Sequence, residues 1–203
     1  EISACLVGSE MCIRDSNNTA GGVGSSTIGY NNTATNENAS AFGYGNTAGG
    51  LASSAFGFSN TASGDNANAF GYNNIASGSK SNVFGTGNTV SGSSSTAVGT
   101  ANEVAAENST AIGNNNTISS GAENSAALGN NISISLKDSV ALGNNSTATA
   151  INSVTGNSSY TKWAGVSDVV GVVSVGSSGA TRQIQNVAAG QVSATSTDGV
   201  NGS

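Results

Sequence analysis

The stretch Ser40-Ala41-Phe42-Gly43-Tyr44-Gly45-Asn46-Thr47-Ala48 is answered further along the chain by Ser54-Ala55-Phe56-Gly57-Phe58-Ser59-Asn60-Thr61-Ala62, and that step decides the fold. Its kernel is a small residue, a large apolar residue and a Gly. The kernel recurs as Thr27-Ile28-Gly29, Ala69-Phe70-Gly71, Val83-Phe84-Gly85, Ala97-Val98-Gly99, Ala111-Ile112-Gly113, Ala127-Leu128-Gly129 and Ala141-Leu142-Gly143. Nine copies stand in register; seven of the eight spacings are 14, and the one from Gly113 to Gly129 is 16. A fixed short period marks a repeat architecture, in which each unit buries its apolar face only against its neighbours.

Each unit has two halves. The first alternates up to the Gly, as in Ser53-Ser54-Ala55-Phe56-Gly57, and the second carries an apolar residue five positions after the Gly. Those residues are Ala34, Ala48, Ala62, Ala76, Val90, Val104, Ile118, Ile134 and Ala148. Short alternating pieces bounded by Gly, Asn and Ser read as strands with turns between them. Two strands and two turns in so short a unit suit one coil of a β-solenoid and leave no room for a helical repeat. Coils stacked about 4.8 Å apart make nine of them roughly 43 Å tall. Phe42, Phe56 and Phe70 go with Ala48, Ala62 and Ala76, whereas Val98, Ile112 and Leu128 go with Val104, Ile118 and Ile134. Close packing favours such large-with-small pairing, so the two columns are expected to face each other across the core.

Composition agrees with a repeat and excludes much else. The 203 residues include no His, no Pro and only 5 basic and 11 acidic side chains, a net charge of −6. Disorder normally combines low hydrophobicity with high net charge, and a chain only 8% charged lacks the second ingredient. Five scattered cations cannot hold a nucleic-acid backbone. With 36% apolar but only 5% aromatic residues, one large core of the usual kind is out of reach. Ordering each backbone residue costs about 1–2 kcal/mol, while one buried large side chain per coil returns only ~1.5–3 kcal/mol, so self-association is expected.

The N-terminal segment 1–16 stands apart. Cys5, Cys12 and Met11 all lie there, and no other segment shares that composition. The stretch Ala4–Ser16 resembles translated sequencing-adapter read-through. One step back from Gly29 the register calls for a large apolar residue and a Gly, but Arg14 and Asp15 occupy those places, so the register is expected to break near Ser16-Asn17. The segment 1–16 therefore reads as non-native. No apolar run approaches the ~18 residues of a membrane helix, no secretory leader is visible, and the chain from Glu1 to Ser203 reads as a fragment of something longer.

Tandem units of the form Ser-x-Ala-Ile/Phe-Gly-x-x-Asn-Thr-Ala-Ser-Gly resemble the head repeats of YadA-like trimeric autotransporter adhesins. The segment Val175-Gly176-Ser177-Ser178-Gly179-Ala180-Thr181-Arg182-Gln183-Ile184-Gln185-Asn186-Val187-Ala188-Ala189-Gly190 is similar to that family's neck, and Asp198-Gly199 stands where the family has Asp-Ala. The resemblance covers about 17–203. It implies an all-β, left-handed parallel β-roll in each of three identical chains, with a neck leading to a coiled-coil stalk and an outer-membrane anchor beyond this sequence. It also implies trimer contacts in the neck for Arg182, Ile184, Asn186 and Val187. The expected organisation is a head over 17–148, a connecting insertion over 149–173 with Tyr160 and Trp163, and a neck over 174–203.

The chain offers little for catalysis. Without His or usable Cys, a nucleophile–base pair would need clustered Lys or carboxylates, and Glu37, Asp65, Glu103, Glu107, Glu123 and Asp138 are spread over different coils. They read as solvated charges that limit aggregation. Calcium-binding nonapeptide repeats carry Asp where this chain carries Asn. Asn-x-Ser/Thr triplets carry no signal here, and no cofactor or metal is expected. Two files remain. Asn32, Asn46, Asn60, Asn74, Asn88, Asn102 and Asn116 follow each Gly by three positions and read as a left-handed turn residue or an amide stack. Tyr30, Tyr44, Phe58 and Tyr72 directly follow the Gly in four successive coils, and read either as an adhesive stripe or as stacking at a turn or against a neighbouring subunit.

These observations point to a non-enzymatic adhesin head and neck at the surface of a Gram-negative-type bacterium. It would attach to host matrix protein, receptor, glycan or another bacterium through three copies of a weakly binding face. The alternative is a spacer that only projects a more distal domain. An ice-binding solenoid would need a regular Thr-x-Thr file, which is absent, and a lyase would need a groove of Lys, Arg and Asp, also absent.

Overall fold

The computed structural model describes residues 12–14, 16–151, 169–191, 196 and 198. The stretch holding Tyr160 and Trp163, together with Cys5, Met11 and most of Thr197–Ser203, lies outside the described residues. Each coil is one long strand and one short strand joined by two corners. In the coil that starts at Ser40 these are Ser40–Tyr44 and Thr47–Ala48, and the next coil repeats them as Ser54–Phe58 and Thr61–Ala62. The long strands stack into an 11-stranded parallel sheet and the short ones into a 10-stranded parallel sheet, each strand paired with its equivalents in the coils before and after. The register holds residue on residue: Ala41 on Ala55, Phe42 on Phe56, Gly43 on Gly57. The chain is thus an all-β parallel solenoid of about nine turns.

Corners are made by left-handed residues. Positive φ recurs at every seventh position, as at Asn38, Gly45, Ala52, Ser59, Asn66 and Asn73, all between 51° and 63°. Asn and Gly tolerate this region, which explains their abundance, and one such residue turns the chain sharply enough to close so narrow a coil. The extra length of the long unit falls in one corner, between Ile118 and Ser125, where Gly121 takes φ 92° and a β-carbon would stand in open space. Pairing on either side is undisturbed: Ile112 still meets Leu128, and Ile118 still meets Ile134.

The core corrects one expectation. The large column does not face the second apolar column. Ala41, Ala55, Ala69, Val83, Ala97, Ala111, Ala127 and Ala141 point inward with Ala48, Ala62, Ala76, Val90, Val104, Ile118, Ile134 and Ala148, while Phe84, Ile112 and Leu128 stand about half exposed on the outer face. Successive residues of a strand point to opposite faces, so placing Ala41 inside forces Phe42 outside. The interior also holds two polar ladders and accommodates Ala, Val or Ile, not Phe. The large-with-small relation therefore joins an outward residue of the long-strand sheet to an inward residue of the short-strand sheet.

At the ends, backbone pairing goes further than the residue pattern. Cys12–Arg14 pairs with Ser26–Ile28 one step before the first full coil, although the pattern stops near Ser16-Asn17, because parallel pairing uses main-chain groups that any residue carries. At the other end Val173–Ser174 pairs with Val140 and Ala141, and the Thr147 amide donates to the Gly176 carbonyl at 2.9 Å. The chain thus returns after residue 168 to add a further rung. The triplet Ser174-Val175-Gly176 is a small–large–Gly kernel out of period with Ala141-Leu142-Gly143, and it is the signal that sequence reading passed over.

Candidate interaction surface

Two hydrogen-bonded ladders run inside the coils and tie each to the next. The Asn file is an amide stack and not the turn itself; the left-handed residue is the one before it, as Gly45 precedes Asn46. Asn74 is completely buried, and its Nδ2 donates to Asn60 Oδ1 at 3.1 Å, to the Phe70 carbonyl at 2.9 Å and to the Gly85 carbonyl at 2.7 Å. Its Oδ1 accepts from the Asn88 backbone amide and from Asn88 Nδ2, both at 3.0 Å. The same set repeats from Asn46 to Asn102. It ends at Ile132, whose amide alone donates to Asn116 Oδ1, at 3.0 Å. A Ser ladder runs along the other corner: the amides of Ser109, Ser125 and Ser139 each donate to the Oγ of the Ser one coil earlier, at 3.0–3.1 Å.

The glycines complete this arrangement. Gly43, Gly57 and Gly71 take φ near 120°, and a β-carbon on Gly57 would stand 2.1 Å from the Gly71 carbonyl oxygen. That oxygen accepts from Asn60 Nδ2 at 2.7 Å. Coils can approach this closely only because Gly57 has no β-carbon to meet the Gly71 carbonyl.

Two files of large side chains run along the outside of the long strands, one before and one after the Gly column. Ile28, Phe42, Phe56, Phe70, Phe84, Val98, Ile112, Leu128 and Leu142 form one apolar file over the nine coils. Phe42, Phe56, Phe70 and Phe84 stack with centroids 4.8–5.2 Å apart and planes within 10°. Tyr30, Tyr44, Phe58 and Tyr72 form the second file, stacked at 4.9–5.3 Å and between 43% and 53% exposed. Thr86, Thr100, Asn114, Asn130 and Asn144 continue it in polar form, with Asn114 Nδ2 donating to Asn130 Oδ1 at 2.8 Å. The structure therefore brings the four predicted aromatic residues together as one stacked file, separated from the large apolar file by the Gly column at φ near 120°.

The opposite, short-strand face turns out Thr33, Thr47, Thr61, Thr89 and Thr117 with Glu103 among them. Glu37, Asp65, Glu107, Glu123 and Asp138 lie at corners, and among the described residues no three acidic, His or Cys side chains converge as a metal site. Arg182 lies against the last coil of its own chain. Its Nη1 donates to the Val175 carbonyl at 2.6 Å and to Ser146 Oγ at 3.2 Å, and its Nη2 donates to the Asn144 carbonyl. The guanidinium sits 3.2 Å from where a β-carbon of Gly143 would be, the place that a next coil's Gly backbone fills elsewhere. Ile184 and Val187 are exposed in the single chain, and Asn186 takes φ 60°.

The family model of the YadA head domain repeat, in its two-copy form, matches residues 20–46, 48–74, 91–116 and 137–154. No curated protein matches the chain. The intervening residues 75–90 keep the same strands, the same Asn stack at Asn88 and the same outward Phe84, so the geometry is continuous where the match is not. Heads of this type and their solenoid fold are typically non-catalytic. Repeat, register and match agree: the chain belongs to the YadA head family, whose members have a surface-exposed, adhesin-type function.

Proposed function

We propose that this chain is the head and neck of a homotrimeric bacterial surface adhesin. Three copies of the roll, read as left-handed, stand around one axis with their long-strand faces turned inward, and the neck from residue 174 leads toward a coiled-coil stalk and an outer-membrane anchor. The observation that carries this reading is the file from Ile28 to Leu142: nine large apolar side chains, one per coil, on the outside of a single chain. A soluble monomer rarely shows so long a continuous apolar stripe, and a symmetric assembly removes it from water. Attachment is multivalent and non-catalytic, and its target is a host matrix protein, a receptor, a glycan or another bacterium. Linking three weak faces raises avidity by about 10²–10⁴ without any new contact.

Light scattering on the full chain tests this. The expected mass is three times 19.6 kDa. The chain immobilised as a trimer is then expected to retain matrix proteins or glycans that the dissociated chain does not. A monomer at micromolar concentration sinks the trimeric reading, and a trimer that retains no surface leaves the spacer reading in its place.

A further inference from the structure

We propose that Tyr30 and Tyr44 are a site of oxidative carbon–carbon coupling within one chain, a covalent staple between two successive coils. The two phenols are the substrate. The co-reactant is a one-electron oxidant, such as a haem peroxidase intermediate or a metal polypyridyl complex. The new bond lies inside a single chain and does not depend on assembly.

Register supplies the first condition, that two phenols be held together. Tyr30 and Tyr44 are direct partners on adjacent parallel strands, and their ring centroids lie 5.3 Å apart with planes 21° from parallel. Rings stacked in this way need only swing about their side-chain bonds to bring the carbons ortho to the two hydroxyls into contact. Holding them there turns a collision between two radicals into a step within one molecule. Exposure supplies the second condition. Each ring is 48% exposed, so an oxidant reaches it and it has room to swing. The third condition is isolation from other phenols. Tyr44 is followed in register by Phe58, Phe58 by Tyr72, and Tyr72 by Thr86. A phenyl ring has no hydroxyl hydrogen to lose, so Phe58 interrupts the series. Among the described residues Tyr30 and Tyr44 are the one pair of stacked phenols.

In the coupling, each phenol gives one electron to the oxidant and its hydroxyl proton to water, so two equivalents of oxidant are reduced. The two phenoxyl radicals join through their ortho carbons. The hydrogen on each of those carbons then moves to the oxygen, which restores both aromatic rings and both hydroxyls. The product has lost two hydrogen atoms in all. The link ties residue 30 to residue 44 and acts as a disulfide of similar span does, mainly by restricting the unfolded chain.

The test uses the full chain, with Cys5 and Cys12 first alkylated so that no thiol reduces the radicals. Photogenerated tris(bipyridyl)ruthenium(III) is the oxidant, and intact mass and peptide mapping read the product. The expected product is a single chain lighter by two hydrogens, with residues 30 and 44 in one cross-linked peptide and Tyr72 unlinked. We expect about tenfold more of this link than in the chain unfolded in urea, where the phenols are no longer held side by side. Tyr30→Phe keeps the stacked ring and should abolish the link. Phe58→Tyr puts a phenol in the gap and should draw Tyr72 into a second link. The assignment is overturned by the absence of any link, by linkage mainly between chains, or by an equal yield in urea. Coupling of Tyr30 or Tyr44 to Tyr72 or Tyr160 as often as to each other overturns it too.

Discussion

At the residue scale, the two kinds of left-handed glycine have different costs of replacement. Gly57 is held at φ 118° with the next coil's carbonyl oxygen 2.1 Å from any β-carbon, whereas Gly45, at φ 63°, has only Ser59 Oγ at 3.6 Å. Ser59 and Ala101 already occupy the equivalent corner at φ 53°. We therefore expect Gly57→Ala to destabilise by about 2–4 kcal/mol, roughly a 5–15 °C fall in melting temperature, and Gly45→Ala to cost about 1 kcal/mol or less. Thermal unfolding followed by circular dichroism separates the two. Asn74 joins its own coil to both neighbours, so Asn74→Ala leaves two carbonyls and part of the amide stack unpaired in the core. A loss of about 3–5 kcal/mol is expected in urea denaturation. The opposite sign is expected at Thr27, which sits in the inner Ala/Val column with an Oγ1 that is buried and unpartnered. Thr27→Val removes the orphan hydroxyl at constant shape and should raise stability by about 1 kcal/mol. A lower midpoint for this variant would mean that the hydroxyl finds a partner.

At the element scale, the vulnerable places of a solenoid are its terminal strands, whose unpaired main-chain groups invite other strands. Here the C-terminal edge is covered twice, by Val173–Ser174 pairing along Val140–Ala141 and by the Arg182 guanidinium on Gly143. Arg182 satisfies the Asn144 and Val175 carbonyls and Ser146 Oγ together from two separate nitrogens of a planar fork, a spread that the single nitrogen of an ammonium does not offer. Arg182→Ala is expected to speed amide exchange in Val140–Leu142 and Thr147–Ala148 by about tenfold or more, since the last rungs then open locally, and to leave the strands before Phe84 unchanged. Arg182→Lys should restore little of that protection. Hydrogen exchange read by mass spectrometry resolves the segments, and uniform acceleration along the whole chain would contradict a local cap.

At the scale of the whole molecule, Phe56 is the side chain whose substitution separates folding from assembly. It lies outside the coil, stacked between Phe42 and Phe70, and its removal leaves the inner columns intact. Phe56→Ser is expected to preserve the circular dichroism of the roll while lowering the mass in light scattering. The period, the two strands per coil and the corners at Gly and Asn were legible in the residues, because a repeat states its own register nine times and turn residues declare themselves. So was the family. Which parity of the long strand faces inward was not legible. Ala41 and Phe42 are both apolar, alternation fixes only that they point opposite ways, and nothing local says which one the interior accepts. That choice belongs to the cross-section of the closed coil, where the Asn and Ser ladders leave a cavity of Ala-to-Ile width and put every Phe outside. Closure also brought Val173–Ser174 back onto the distant strand Val140–Leu142. Periodicity is written along the chain. The inside, the outside and the return of a distant segment are decided only when the coils close on one another, because they depend on volumes and hydrogen bonds shared between residues that the sequence keeps apart.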